Sequence, residues 1–160
     1  MKKASFSFIS SSASETTRFG ARLGQRLKRG DVVLLMAPLG AGKTTLVQGV
    51  ARALGVKEMA QSPTFVLAQT HQGKIPLHHL DFYRLNKKDI LDMGIHDYLT
   101  GAGEIPPGVV FIEWADRCKE VWPADRLEIV LKMKPRSHAR EIIVTGIGDR
   151  FQQLVKRVAA

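Results

Sequence analysis

Val32-Val33-Leu34-Leu35-Met36-Ala37-Pro38-Leu39-Gly40-Ala41-Gly42-Lys43-Thr44-Thr45-Leu46 decides the fold. An apolar run stops at Pro38, a loop containing Gly40 and Gly42 follows, and Lys43-Thr44 opens a segment of helical periodicity. Strand, glycine loop and helix in this order are the setting of a phosphate-binding P-loop. Successive backbone N–H groups in such a loop make an anion-binding concavity, and the helix N-terminus adds partial positive charge. Gly42 lets the backbone approach the phosphates, where a Cβ would intrude. Lys43 reaches the outer phosphates, and the Thr44 hydroxyl is placed to ligate Mg²⁺. The usual pattern begins with glycine where this chain has Ala37. An ordinary glycine-containing turn is the competing reading, and the flanking strand and amphipathic helix weigh against it.

Upstream, Ser5–Ile9 alternates polar and apolar residues and predicts a short strand. Ser12 or Ser14 caps a helix expected to reach about Lys28, burying Phe19, Leu23 and Leu27. Val32–Met36 is apolar on both faces, as a strand inside a covered parallel sheet should be. The helix from Lys43 to about Leu54 turns Leu46, Val50 and Leu54 inward and ends at Gly55. Downstream, Phe65–Thr70 and Ile75–Tyr83 predict an antiparallel hairpin around His71-Gln72-Gly73-Lys74. Gly103–Gly108, with two prolines, predicts a mobile or inserted loop. Val109–Ile112 is a second buried-type strand. Arg126–Lys134 and Arg140–Gly146 predict a hairpin at the sheet edge, and Phe151, Leu154 and Val158 a terminal helix.

With 160 residues, one domain with a proper core is expected. Hydrophobic residues at 44% and charged residues at 24% are ordinary for a soluble globular protein. The single cysteine, Cys118, allows no internal disulfide and fits a reducing compartment. Met1-Lys2-Lys3 begins like a signal peptide, but serines interrupt any apolar stretch behind it, and no run is long enough for a bilayer. A cytoplasmic protein without membrane contact is therefore expected. The net charge of +9 favours anionic partners such as nucleotide phosphates or RNA. Equally, Arg22, Arg26, Lys28 and Arg29 at helical spacing read as a solvated helix face.

Two carboxylates are candidates for chemistry. In His79-Leu80-Asp81-Phe82-Tyr83, strand alternation places His79, Asp81 and Tyr83 on one face. A carboxylate at a strand end near a P-loop is the usual Mg²⁺ partner, though a solvent-facing aspartate is the plainer reading. Glu113 directly follows a core strand, on the edge where α/β folds bind ligands, and suits a Mg²⁺ ligand or a polariser of attacking water. His78, His79 and Asp81 have metal-ligand spacing, but no further Cys/His cluster completes a zinc site. Asn86-Lys87-Lys88-Asp89 matches a guanine-reading signature of GTPases, yet it follows the Asp81 strand at once. It reads better as a helix start with Asn86 as N-cap.

Taken together, Ala37–Thr45, Ser62-Pro63-Thr64-Phe65, His79-x-Asp81-x-Tyr83-Arg84-Leu85, Met93-Gly94-Ile95-x-Asp97-Tyr98 and Glu113-Trp114 resemble, in order and spacing, the TsaE (YjeE) family of bacterial P-loop ATPases. The resemblance implies an α/β, three-layer P-loop NTPase fold over residues 1–160, with central parallel strands and antiparallel edge hairpins. It implies ATP and Mg²⁺ as cofactors and hydrolysis, weak in isolation, in complex with TsaD and TsaB during threonylcarbamoyl-adenosine modification of tRNA. By position, Leu39, Gly40, Ala41, Gly42, Lys43, Thr44 and Thr45 bind nucleotide, joined by Thr16, Trp114 and Arg140. Thr64 lies in a switch-like loop able to sense the terminal phosphate. Thr44, Asp81 and Glu113 form the magnesium and water network, and Lys43, Asp81 and Glu113 carry catalysis. Family loops usually begin Gly-Asp; Ala37-Pro38 stand there here, and Pro38 has no N–H to offer a phosphate. A small-molecule kinase on the same scaffold is a rival reading, but Pro106–Gly108 lacks the arginines of a kinase lid. A nucleotide-gated docking module without catalysis is the other.

Overall fold

The computed structural model describes residues 2–58 and 67–160. Within them, β1 (Lys3–Ser10), α1 (Ala13–Gly24), β2 (Val32–Met36) and α2 (Lys43–Ala53) come first. The hairpin β3 (Ala68–His71) and β4 (Leu77–Asp81) leads into two short helices, α3 (Lys87–Asp92) and α4 (Ile95–Thr100). Then β5 (Val109–Glu113), two 3-10 turns, β6 (Arg126–Met133), β7 (Arg140–Ile147) and α5 (Asp149–Ala159) complete the chain. The strands form one seven-stranded sheet in the order β1-β7-β6-β2-β5-β4-β3. β6, β2, β5 and β4 are mutually parallel, and β1, β7 and β3 join antiparallel.

Strand alternation divides the apolar residues of the sheet between two layers. Val33, Leu35, Phe111, Leu127 and Ile129 pack against Leu23 of α1, Leu46 and Val50 of α2 and Leu154 of α5. Val32, Leu34, Val110 and Ile112 pack on the other side with Phe82, Ile90 and Ile95. β2 and β5 are apolar on both faces because both faces are covered, which places the P-loop at the centre of a three-layer fold.

The predicted terminal hairpin forms, but it is not outermost. β6 pairs in parallel with β2, and β1 covers β7 along its whole length. The aromatic side of β1 explains this, since Phe6 and Phe8 need a partner and Phe8 lies 4.8 Å from the Phe19 ring of α1. Helix α1 also stops at Gly24, short of Lys28. Leu27 is still buried because the following turn folds back, the Lys28 N–H donating to Asp31 Oδ2 at 2.7 Å. The expected start of β3 at Phe65 lies outside the described residues.

Local signals read from sequence have direct counterparts. Ser12 Oγ accepts the Glu15 N–H at 3.1 Å and caps α1. Asn86 and Asp89 form a reciprocal capping box on α3, as the helix-start reading requires. Much of the basic cluster serves backbone carbonyls: Arg22 donates to Val158, Arg26 to Arg22, and Arg29 to both Pro107 and Lys74. The proline-containing loop is tied at its end, where Gly30 N–H reaches the Gly108 carbonyl at 2.7 Å.

Helices α1 and α2 approach through glycines. A Cβ on Gly49 would run into the Thr17 carbonyl oxygen and sit 3.1 Å from the Gly20 Cα. Gly49→Ala is therefore expected to cost about 1–3 kcal/mol through overpacking. Thermal denaturation should show a Tm lower by roughly 3–10 °C; an unchanged Tm would mean that the helices separate freely.

Candidate functional site

The site forms where β2, β4 and β5 end together. Leaving β2, the chain passes Pro38 and Leu39, and Gly40 and Gly42 take left-handed backbone, with φ of 76° and 98°. Gly42 caps α2, and a Cβ on it would strike the Arg140 guanidinium. The first amides of α2 have no intrahelical acceptor and point at the loop's concavity. Lys43 Nζ donates to the carbonyls of Ala37 and Pro38, each at 2.9 Å, which holds the ammonium against the loop.

Across from this loop, Asp81 and Glu113 are register partners on β4 and β5. Both are buried. The Tyr83 N–H donates to Asp81 Oδ1 at 2.8 Å, and His79 Nε2 lies 2.9 Å from Glu113 Oε1. Burial pushes the Asp81 carboxyl above its usual range, with Glu113 adding to the shift and the Tyr83 N–H opposing it. Burial also lowers the Lys43 ammonium, against the pull of Glu113 and Asp81. Two carboxylates this close in low dielectric favour a cation between them.

Trp114 follows Glu113 with φ of 56°, a conformation that costs a bulky residue about 1–3 kcal/mol. Its N–H is tied to the Leu35 carbonyl at 3.1 Å, and its ring lies 4.7 Å from Lys43 Nζ, a cation–π contact. The Tyr83 ring tilts against it at 4.9 Å.

A cavity of about 410 Å³ is lined by Leu39, Gly40, Gly42, Lys43, Thr44, Thr45, Asp81, Tyr83, Glu113 and Trp114. All but Tyr83 are residues singled out from the sequence. Ala41 turns into the core, and its carbonyl accepts from Arg140 Nη1 at 3.1 Å, so Arg140 grips the loop from β7. Thr16 does not line the cavity. Its hydroxyl is buried, 2.8 Å from Ser10 Oγ and 3.3 Å from the Ser12 carbonyl, and belongs to the start of α1. Thr64 lies outside the described residues.

Tyr83 and His79 are the functional neighbours that the sequence reading left unassigned, although the period-two spacing His79-x-Asp81-x-Tyr83 was their signal. The same alternation breaks the triplet His78, His79 and Asp81. His78 faces the opposite layer, donating from Nε2 to the Pro106 carbonyl at 2.7 Å, with Thr70 Oγ1 2.9 Å from Nδ1. Among the described residues no three His, Cys, Asp or Glu side chains cluster as a metal cage. The oxygen donors of Thr44, Asp81 and Glu113 on one cavity suit a hard cation that shares its ligation with phosphate and water, as Mg²⁺ does.

Residues 10–142 match the family model described as threonylcarbamoyl adenosine biosynthesis protein TsaE. The chain belongs to the TsaE family. A TsaE tRNA threonylcarbamoyladenosine biosynthesis protein of Bacillus subtilis (strain 168) is 38% identical over 133 residues, 82% of this chain and 80% of that protein. Its counterpart in Treponema pallidum (strain Nichols) is 38% identical over 137 residues, 85% of this chain and 97% of that protein. For the TsaE protein of Nostoc sp. (strain PCC 7120) the identity is 48% over 103 residues, 64% of this chain and 63% of that protein's length. The crystal structure of YdiB from Bacillus subtilis superposes with a TM-score of 0.83 at 29% identity, covering 99% of this chain and 97% of that one. The TsaE fold is thus a mixed sheet with parallel central strands around the P-loop. Among the described residues, no helix of this TsaE-family chain is long and apolar enough to cross a membrane.

Proposed function

We propose that this chain is the ATP-binding and hydrolysing subunit that supports threonylcarbamoyl-adenosine modification of tRNA, acting in the cytoplasm with TsaB and TsaD. In this reading residues 1–160 work as one P-loop ATPase domain. The observation that carries the reading is the meeting of Lys43 and Thr44 with the paired carboxylates Asp81 and Glu113 around one cavity.

Each residue then has a role that follows from its chemistry. The amides of Leu39, Gly40 and Gly42 to Thr45 bind phosphate oxygens, Pro38 being unable to contribute and the Ala41 N–H donating to the Pro38 carbonyl. Lys43, held against Trp114, binds the outer phosphates and stabilises charge as it moves onto the leaving oxygen. Thr44, Asp81 and Glu113 would hold Mg²⁺, whose charge offsets that of the phosphoryl oxygens. Glu113 orients the attacking water, and Asp81 completes the network beside it. Arg140 keeps the loop in shape through Ala41. Thr64 senses the terminal phosphate, and tRNA is reached through the complex.

Of the side chains given roles above, Lys43 is the one cation on the phosphates beside the metal, so hydrolysis by the isolated chain is expected to be slow. An ATPase assay of the chain alone, with TsaB and TsaD, and with tRNA added is the test. Hydrolysis stimulated by the partners supports the reading. No hydrolysis under any condition, or phosphate transfer to a metabolite in preference to water, would overturn it.

A further inference from the structure

His79 is one of the most deeply buried polar residues of the chain, at 0% exposure, and it does not line the nucleotide cavity. Its Nε2 lies 2.9 Å from Glu113 Oε1, and Glu113 is itself 2% exposed. A carboxylate oxygen only accepts, so the shared proton sits on Nε2. Among the described residues, Nδ1 is buried without a hydrogen-bond partner. An unsatisfied buried nitrogen costs about 1–3 kcal/mol. Leu77, two residues earlier on the same face of β4, shows that an apolar side chain suits this layer. The one hydrogen bond of this buried imidazole among the described residues runs to Glu113, so its placement acts on that carboxylate.

Glu113 has one oxygen held by His79, while its side chain borders the cavity beside Asp81 and Lys43. We propose that His79 is a positioning residue, whose Nε2–H pins Oε1 of Glu113 and so presents the other oxygen to the cavity. The inference rests on the ATPase reading above and adds to it the group that orients the water-polarising carboxylate. Without that bond Glu113 is free to rotate, and its place relative to Asp81 is lost.

The test uses the full chain with TsaB and TsaD and three variants. His79→Leu fills the space without a donor. His79→Gln places an amide N–H near the Nε2 position, whereas His79→Asn stops at the Nδ1 position. Loss of a hydrogen bond that orients a ligating group typically lowers activity or metal affinity 10–100-fold. His79→Leu and His79→Asn are expected to lower kcat by about that factor with KM for ATP unchanged, and His79→Gln to recover most of it. Mn²⁺ titration by electron paramagnetic resonance in the presence of ADP gives a readout apart from turnover, and affinity should fall in the same order. If His79→Leu fails to fold, the Gln and Asn pair decides. Equal rates and equal Mn²⁺ affinities for Gln and Asn, or a wild-type rate in His79→Leu, would overturn the proposal. A wild-type chain without hydrolysis under any condition would instead overturn the ATPase reading.

Discussion

Lys43→Ala is expected to weaken ATP binding by roughly a hundredfold. A charged hydrogen bond to phosphate contributes about 1.5–3 kcal/mol, and 3 kcal/mol is roughly a hundredfold in Kd. The ammonium sits at the base of the loop, bonded to the Ala37 and Pro38 carbonyls and backed by the Trp114 ring. It is therefore organised before any phosphate arrives, and little entropy is lost on binding. Isothermal titration of ATP with Mg²⁺ measures the effect directly. Circular dichroism of the same sample shows whether the fold survives the loss of the two carbonyl bonds. Unchanged affinity in a folded variant would remove the loop from nucleotide binding altogether.

Glu113→Gln should separate binding from chemistry. The amide keeps the volume of the side chain and an oxygen that accepts from His79, so the buried contact at 2.9 Å can persist. What is lost is the negative charge that polarises water. General-base groups contribute about 10²–10⁴ in rate, so partner-stimulated hydrolysis should fall at least a hundredfold, while ATP affinity measured without added divalent metal stays close to that of the wild-type chain. Radiolabelled phosphate release gives the rate and titration gives the affinity. If the hydrolysis-dead variant still supports tRNA modification with TsaB and TsaD, the chain acts as a nucleotide-gated docking module and turnover is incidental.

The centre of the fold was legible because its signals are local. An apolar run, two glycines and Lys43-Thr44 specify β2, the loop and α2 within fifteen consecutive residues of chain. Capping serines and asparagines marked helix starts for the same reason, through bonds three residues apart. The pairing of distant strands had no such signal. That β1 lies outside β7, and that Arg140 reaches back to Ala41, depends on register between segments at opposite ends of the chain. Helix α4 gives no such signal because Gly94 starts it without a side-chain cap, whereas α3, equally short, is marked by Asn86 and Asp89. Of the candidate site, both carboxylates were visible as strand ends, but the bond between His79 and Glu113 crosses two strands and follows from their pairing alone.

The neighbouring histidines of β4 make that strand intolerant of slippage. His78 looks into one layer and His79 into the other. Displaced by one position, the strand would bury the Asp81 carboxylate among Leu34, Ile112 and Phe82 and carry Leu80 to the nucleotide side. Such a misalignment leaves a charge stranded in hydrocarbon, at a cost of several kcal/mol. A misthreaded copy would be less stable than the native one by that amount, so the alternation that builds the cavity also disfavours its own failures.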